Sequence, residues 1–219
     1  AESEIGIEPP ARNPENNRRV GYTLEQVQAF RQHFGTLPWR EAATDQPIVV
    51  ACQNFKGGVG KSTTCVNLAH YLALKGYRVL VVDTDSQATT TSMFGYVPDA
   101  EIDEDSTILP YLSGFQTTLD YAVRKTYWPN IDLIPACLAL YEAELAIVMH
   151  LAAQQDVDKR VQFFMELKYG LQTVADRYDV ILLDSPPALG MISINVLMAA
   201  DALLVPSAAR MFDFSSTVQ

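Results

Sequence analysis

Four unbroken apolar runs, at 48–52, 79–82, 180–183 and 202–205, constrain this chain more than any other feature. Their residues do not alternate with polar ones, so neither face of the strands they would form is meant for water. Strands covered on both faces belong to a parallel sheet packed between helices. A fifth, weaker run lies at 131–134. Helical patterns separate the runs, at about 63–75 with Gly76 as its stop, and near 138–153, 157–177 and 192–200. Strand and helix in alternation specify an α/β fold with a doubly wound, mostly parallel sheet. With 48% apolar residues in 219, the chain can fill one such core and carry an appendage.

In an open parallel sheet, ligands bind beyond the carboxyl ends of the strands. The first run is followed there by Phe55-Lys56-Gly57-Gly58-Val59-Gly60-Lys61-Ser62-Thr63, and a helical pattern comes next. Strand, glycine-rich loop, Lys-Ser-Thr and helix in this order read as a phosphate-binding loop. Glycines let the backbone curl until several N–H groups face one anion, and the helix adds the positive end of its dipole. Lys61 can reach the β- and γ-phosphates, and the Ser62 hydroxyl can take a position on Mg²⁺. The usual G-x-x-x-x-G-K-[ST] pattern has glycine where this chain has Phe55, and Lys56 is a second lysine at the loop mouth. The plain alternative, a glycine turn with two surface lysines, does not account for the order of elements.

Two further strand ends carry carboxylates: Asp83-Thr84-Asp85-Ser86-Gln87 and Asp184-Ser185-Pro186-Pro187. Asp184 is expected to act as a Walker B aspartate that holds Mg²⁺ directly or through water. Asp83, at the strand terminus, is expected to support the loop and the metal shell. Asp85 lies further out and is the candidate for positioning the attacking water. A pair of solvated turn carboxylates is the competing reading.

The net charge of −10 argues against a surface that grips nucleic acid all over, and leaves room for a local basic patch. Cys52, Cys65 and Cys137 are odd in number and at no metal-ligand spacing, as for core residues in a reducing cytosol. No apolar stretch is long enough for a bilayer, and no signal peptide is expected at the start. Residues 1–21 read as a disordered or extended tail. A T-x-x-Q capping box at Thr23 and Gln26 opens an amphipathic helix through about Phe34. Leu24, Val27, Phe30 and Phe34 form its apolar stripe, which is expected to pack on the body or on a dimer partner. That helix and a linker occupy 22–46, and the P-loop domain occupies 47–219. The acidic stretch 98–105 is expected to be a solvated loop. Asp213 or Ser215 could cap a further helix, and Arg210 is read as a surface arginine, with a contact to DNA or a partner as the alternative.

The motifs NFKGGVGKSTT (54–64), VLVVDTDSQATTTSMFG (79–95), VILLDSPPALG (180–190) and ADALLVPSAA (200–209) together resemble the ParA family of partition ATPases. This is the deviant Walker A group, which also contains the MinD proteins. Gln87 and the threonine run before Met93 favour the ParA side, and the upstream helix resembles the larger plasmid-type and RepA-like members. The resemblance implies that Lys56 is the signature lysine that reaches the partner's nucleotide in an ATP-bound dimer. It implies nucleotide contacts from Lys56, Gly57, Gly58, Val59, Gly60, Lys61, Ser62 and Thr63, with Ser62, Asp83 and Asp184 at the metal. Lys56, Lys61 and Asp85 would serve hydrolysis. Residues that touch only phosphate do not choose between ATP and GTP; the resemblance implies ATP with Mg²⁺.

It further implies a homodimer formed on ATP binding, non-specific DNA binding, and weak hydrolysis stimulated by a ParB-type centromere-binding partner. The protein would work in the bacterial cytosol or on the nucleoid, with no membrane partner. Family members continue past this point with more sheet and helix, so the domain is expected to be incomplete at Gln219. Two alternatives stand beside this reading. One is a MinD-like spatial regulator, which needs a C-terminal amphipathic helix for the membrane. The other is an autorepressor or replication accessory protein that uses ATP only as a switch.

Overall fold

The computed structural model describes residues 4–38, 44–153 and 162–208. All five apolar runs form strands: β1 (Ile48–Cys52), β2 (Val79–Asp83), β4 (Ile131–Ile134), β5 (Val180–Asp184) and β6 (Ala202–Leu204). A two-residue strand, β3 (Arg124–Lys125), joins them. The sheet order is β3-β4-β2-β5-β1-β6, and only the β3–β4 pairing is antiparallel. Arg-Lys carries no apolar signal, so β3 exists only because β4 offers it an edge to pair with.

In β2 every residue is buried, and the pleat sends successive side chains to opposite faces. Leu80 and Val82 join the core on one side of the sheet, and Val79 and Val81 the core on the other. The unbroken apolar run therefore reports a two-faced strand. Edge strand β6 differs, since Ala202 and Leu203 are exposed.

The second core is covered by helix α2 (Lys61–Lys75), whose Cys65, Val66, Ala69 and Ala73 point into it. Gly76, at φ 102°, ends α2 in the left-handed region. The opposite core lies under α4 (Leu109–Leu112), α5 (Leu140–Ala153), α6 (Glu166–Gln172) and α7 (Met191–Ala199). The helix expected over 157–177 departs from that reading in its described part. It ends at Gln172, because the Thr173 hydroxyl donates to the Gly170 carbonyl (2.6 Å) and accepts from the Leu119 N–H (3.1 Å). A short 3₁₀ turn (Ala175–Arg177) follows. A short helix after β2, α3 (Thr89–Met93), was not expected from periodicity.

The capping box forms as read and starts α1 (Leu24–His33). Thr23 Oγ1 accepts from the Gln26 N–H (3.3 Å), and Gln26 Oε1 accepts from the Thr23 N–H (2.9 Å). α1 lies on the body at the far end of α2, where Gln28 Nε2 donates to the Ala73 carbonyl (3.2 Å). No residue of α1 is buried. Residues 4–21, the described part of the expected disordered or extended tail, contain an Arg12–Arg19 bridge around a turn. Its asparagines hold it, since Asn13 Oδ1 accepts from the Glu15 N–H and Asn16 Oδ1 from the Arg18 N–H. The acidic 98–105 segment is pinned by Ile102, which is 2% exposed. Arg210, Asp213 and Ser215 lie outside the described residues.

Candidate nucleotide site

The carboxyl ends of β1, β2 and β5 stand side by side, with Cys52 level with Asp184 and Asp184 level with Asp83. Register alone thus brings the glycine loop and both aspartate motifs to one edge. The loop leaves β1 under two restraints. The Gln53 N–H donates to the Leu204 carbonyl (3.0 Å), and the Asn54 side chain works in both directions. Its Nδ2 donates to the Pro206 carbonyl (2.8 Å), and its Oδ1 accepts from the Lys56 N–H (2.9 Å).

Beyond Asn54 the backbone turns through left-handed conformations at Gly58 (φ 74°) and Gly60 (φ 90°). A side chain at either position would be strained by that φ. A Cβ at Gly57, Gly58 or Gly60 would meet nothing within 4 Å, so the space beside each of these glycines is open. Gly60 caps α2 and directs its first N–H groups to that space. Lys61 is the first residue of α2 and only 7% exposed; Ser62 is half-buried and Thr63 exposed. Lys56 and Val59 sit on the outer part of the loop, with Lys56 exposed and Val59 half-buried.

Asp184 is fully buried. Its Oδ2 accepts from the Thr90 hydroxyl (2.7 Å), whereas Oδ1 is buried without a hydrogen-bond partner. Burial pushes this carboxyl above the ordinary range; the Thr90 hydroxyl bond, the Ser62 hydroxyl, which lies near but outside hydrogen-bond geometry, and the Lys61 ammonium pull it down, and Asp85 pushes it up. An unpartnered buried carboxylate oxygen costs free energy unless something fills it. Beside a hydroxyl at the head of α2 and an open anion cradle, that oxygen fits a divalent cation. Among the described residues no three His, Cys, Asp or Glu side chains form a metal cluster. A cation here would therefore draw most of its oxygens from phosphate and water, as Mg²⁺ does.

Asp83 has a different environment. Its Oδ2 accepts from the Thr91 N–H (2.8 Å) and hydroxyl (2.7 Å), and its Oδ1 from the Asp85 N–H (3.2 Å). These bonds tie Asp83 to the segment that follows β2. Burial and then the neighbouring Asp184 raise its pKa to about 7. Asp85 is half-buried at the start of a tight turn, with its Oδ1 accepting from the Gln87 N–H (3.0 Å) and its carbonyl from the Ala88 N–H (2.8 Å).

Side chains to which the sequence motifs assign no role complete this edge. The Thr84 hydroxyl donates to the Asp184 carbonyl (2.7 Å), and the Ser185 hydroxyl to the Cys52 carbonyl (2.8 Å). Asn54 left one signal, an Asx side chain two residues before a loop N–H. Thr84, Thr90, Thr91 and Ser185 bond to residues distant in sequence, and no local pattern marks them.

A two-faced parallel sheet with a glycine cradle at its carboxyl edge, a lysine at the head of the following helix and a buried aspartate on the neighbouring strand define a P-loop nucleotide-binding protein. Residues 48–217 match a family model described as an AAA domain. Protein SopA of Escherichia coli K12 is 43% identical over 204 residues, which cover 92% of this chain and 51% of SopA. The chain thus spans about half the length of the curated relatives it matches. A plasmid partition protein from Borrelia burgdorferi superposes with a TM-score of 0.63 at 28% identity, covering 78% of this chain and 69% of that one. Cobyrinic acid a,c-diamide synthase from Mycobacterium smegmatis, solved with ADP and magnesium, gives 0.65 at 30%, covering 78% and 66%. The chain belongs to the ParA family of partition ATPases.

Proposed function

We propose that this chain is the nucleotide-binding part of an ATP-hydrolysing DNA-segregation protein. The observation that carries the reading is the buried, unpartnered Oδ1 of Asp184 at the edge of the open glycine cradle. The loop N–H groups of 57–63 and the head of α2 bind the phosphates, with Lys61 as the near cation. Ser62 and Asp184 hold Mg²⁺, with Asp83 behind them fixing the loop. Bound Mg²⁺ supplies charge neutralisation at the β- and γ-phosphates. Asp85, held by the Asp83 carboxylate and its own tight turn, orients the attacking water.

Lys56, at the exposed mouth of the loop, serves the nucleotide of a second copy. A cation supplied across the interface completes the charge shell only when two copies meet, so ATP favours the homodimer and hydrolysis weakens it. In that cycle the dimer binds DNA non-specifically, and a ParB-type partner accelerates hydrolysis in the bacterial cytosol or on the nucleoid. Among the described residues no helix is long and apolar enough to cross a membrane. Sedimentation of the full-length protein with ATP, ADP or neither, with and without DNA, tests the cycle. Lys61→Gln is expected to lose nucleotide binding, and Lys56→Gln to bind ATP without dimerising. ATP-dependent dimers of undiminished affinity in Lys56→Gln would exclude the trans role.

A further inference from the structure

The threonine run that opens helix α3 has contacts to which the proposed function assigns no role. Thr90 and Thr91 are fully buried, and each reaches a different strand-end aspartate. Thr91 holds Asp83 through its N–H and hydroxyl, and its oxygen also accepts from the Ala136 N–H (2.9 Å) just past β4. Thr90 donates to Asp184 Oδ2. Helix α3 is thereby fastened across the ends of β2, β4 and β5. The chain between Asp85 and Thr90 has little slack. Ala88 N–H closes the turn onto the Asp85 carbonyl, and Ala88 itself takes φ 52°, a left-handed conformation unfavourable for alanine.

A carboxylate with one oxygen bound by a neutral hydroxyl is restricted in rotation, and the other oxygen acquires a fixed direction. In Asp184 the fixed oxygen is the unpartnered Oδ1. From this geometry we infer that Thr90 is a positioning residue: it aims Asp184 Oδ1 at the divalent cation and ties the cation site to the turn that carries Asp85. The inference rests on the reading that Asp184 faces Mg²⁺. It adds that occupancy of that site is felt at Asp85 through one hydroxyl bond and a short, strained helix start. Partners that orient a metal ligand typically contribute 10–100-fold to metal affinity.

The test uses the full-length protein with the slowly hydrolysed analogue ATPγS and Mn²⁺ as the metal probe, read by electron paramagnetic resonance. Thr90→Val keeps the shape and removes the hydroxyl; its Mn²⁺ affinity is expected to fall about tenfold. Thr90→Ser restores the donor and should return affinity to within about threefold of the parent. Metal-free ATPγS binding should stay unchanged in both. Hydrogen exchange supplies a second readout, because protection gained across 85–94 with Mn²⁺ and ATPγS in the parent should be absent in Thr90→Val. If that variant does not fold, Thr90→Cys, which keeps a weak donor at the γ position, should shift affinity in the same direction by less. Unchanged Mn²⁺ affinity in Thr90→Val, or in Thr90→Cys where it stands in, overturns the inference if Asp184→Ala abolishes metal binding. Unchanged affinity in Asp184→Ala overturns the site reading, and this inference with it.

Discussion

Asp83 and Asp184 lie side by side and fully buried at the ends of neighbouring strands, and their charges oppose each other. The sign of the resulting pH dependence follows from proton binding. With its pKa raised to about 7, folded Asp83 retains a proton that the unfolded chain releases near the ordinary carboxyl value. Between those values the folded state binds more protons, so stability falls as pH rises. The metal-free protein should therefore melt higher at about pH 5 than at about pH 8, and the difference should shrink in Asp83→Asn. Calorimetry in a chelator across that range checks it. At this scale the charged groups were legible, because Lys61, Asp85 and Asp184 sit at fixed offsets from strand ends. The hydroxyls were not: what Thr90 and Thr91 touch depends on how three strands align, and a run of threonines says nothing of that alignment.

Helix α7 has no side-chain cap of its own, and its exposed donors are met from another element. Glu144 of α5 accepts from the Met191 N–H (2.7 Å) and the Ile192 N–H (3.0 Å), placing a carboxylate at the positive end of the helix dipole. Gly190 makes room for it, since a Cβ there would lie 2.5 Å from Glu144 Oε1. Glu144→Ala should lower stability by about 1–2 kcal/mol by chemical denaturation, as loss of a cap does. Gly190→Ala should cost a similar amount by displacing the same carboxylate, and the two losses should not add. Strands and long helices were legible because apolar runs and helical spacing are local properties. This cap was not, because it joins α5 to a glycine on the far side of β5. The edge strand β3 escaped notice for the same reason, as did the early end of α6 at Thr173.

Across the molecule, the N-terminal segment is a lightly attached piece. α1 buries none of its residues, and Gln28 Oε1 and Arg31 Nη1 are enclosed against the body without hydrogen-bond partners. Polar atoms enclosed that way offset much of what the Gln28–Ala73 bond contributes. Removing residues 1–38 should leave one cooperative transition with Tm within about 3 °C of the parent. Scanning calorimetry measures that directly.

The strand order has a consequence for how the chain is made. The strand that launches the phosphate loop, β1, pairs with β5 and β6: Ile48 with Val180 and Val50 with Ala202. Neither partner exists when β1 leaves the ribosome, and at ordinary rates of chain growth the wait is on the order of ten seconds. Until then five consecutive apolar residues have no native neighbour on either edge, a state open to wrong pairing. The nucleotide cradle thus cannot assemble until β5 and β6 have emerged, and translation speed between β2 and β5 bears on the yield of active molecules.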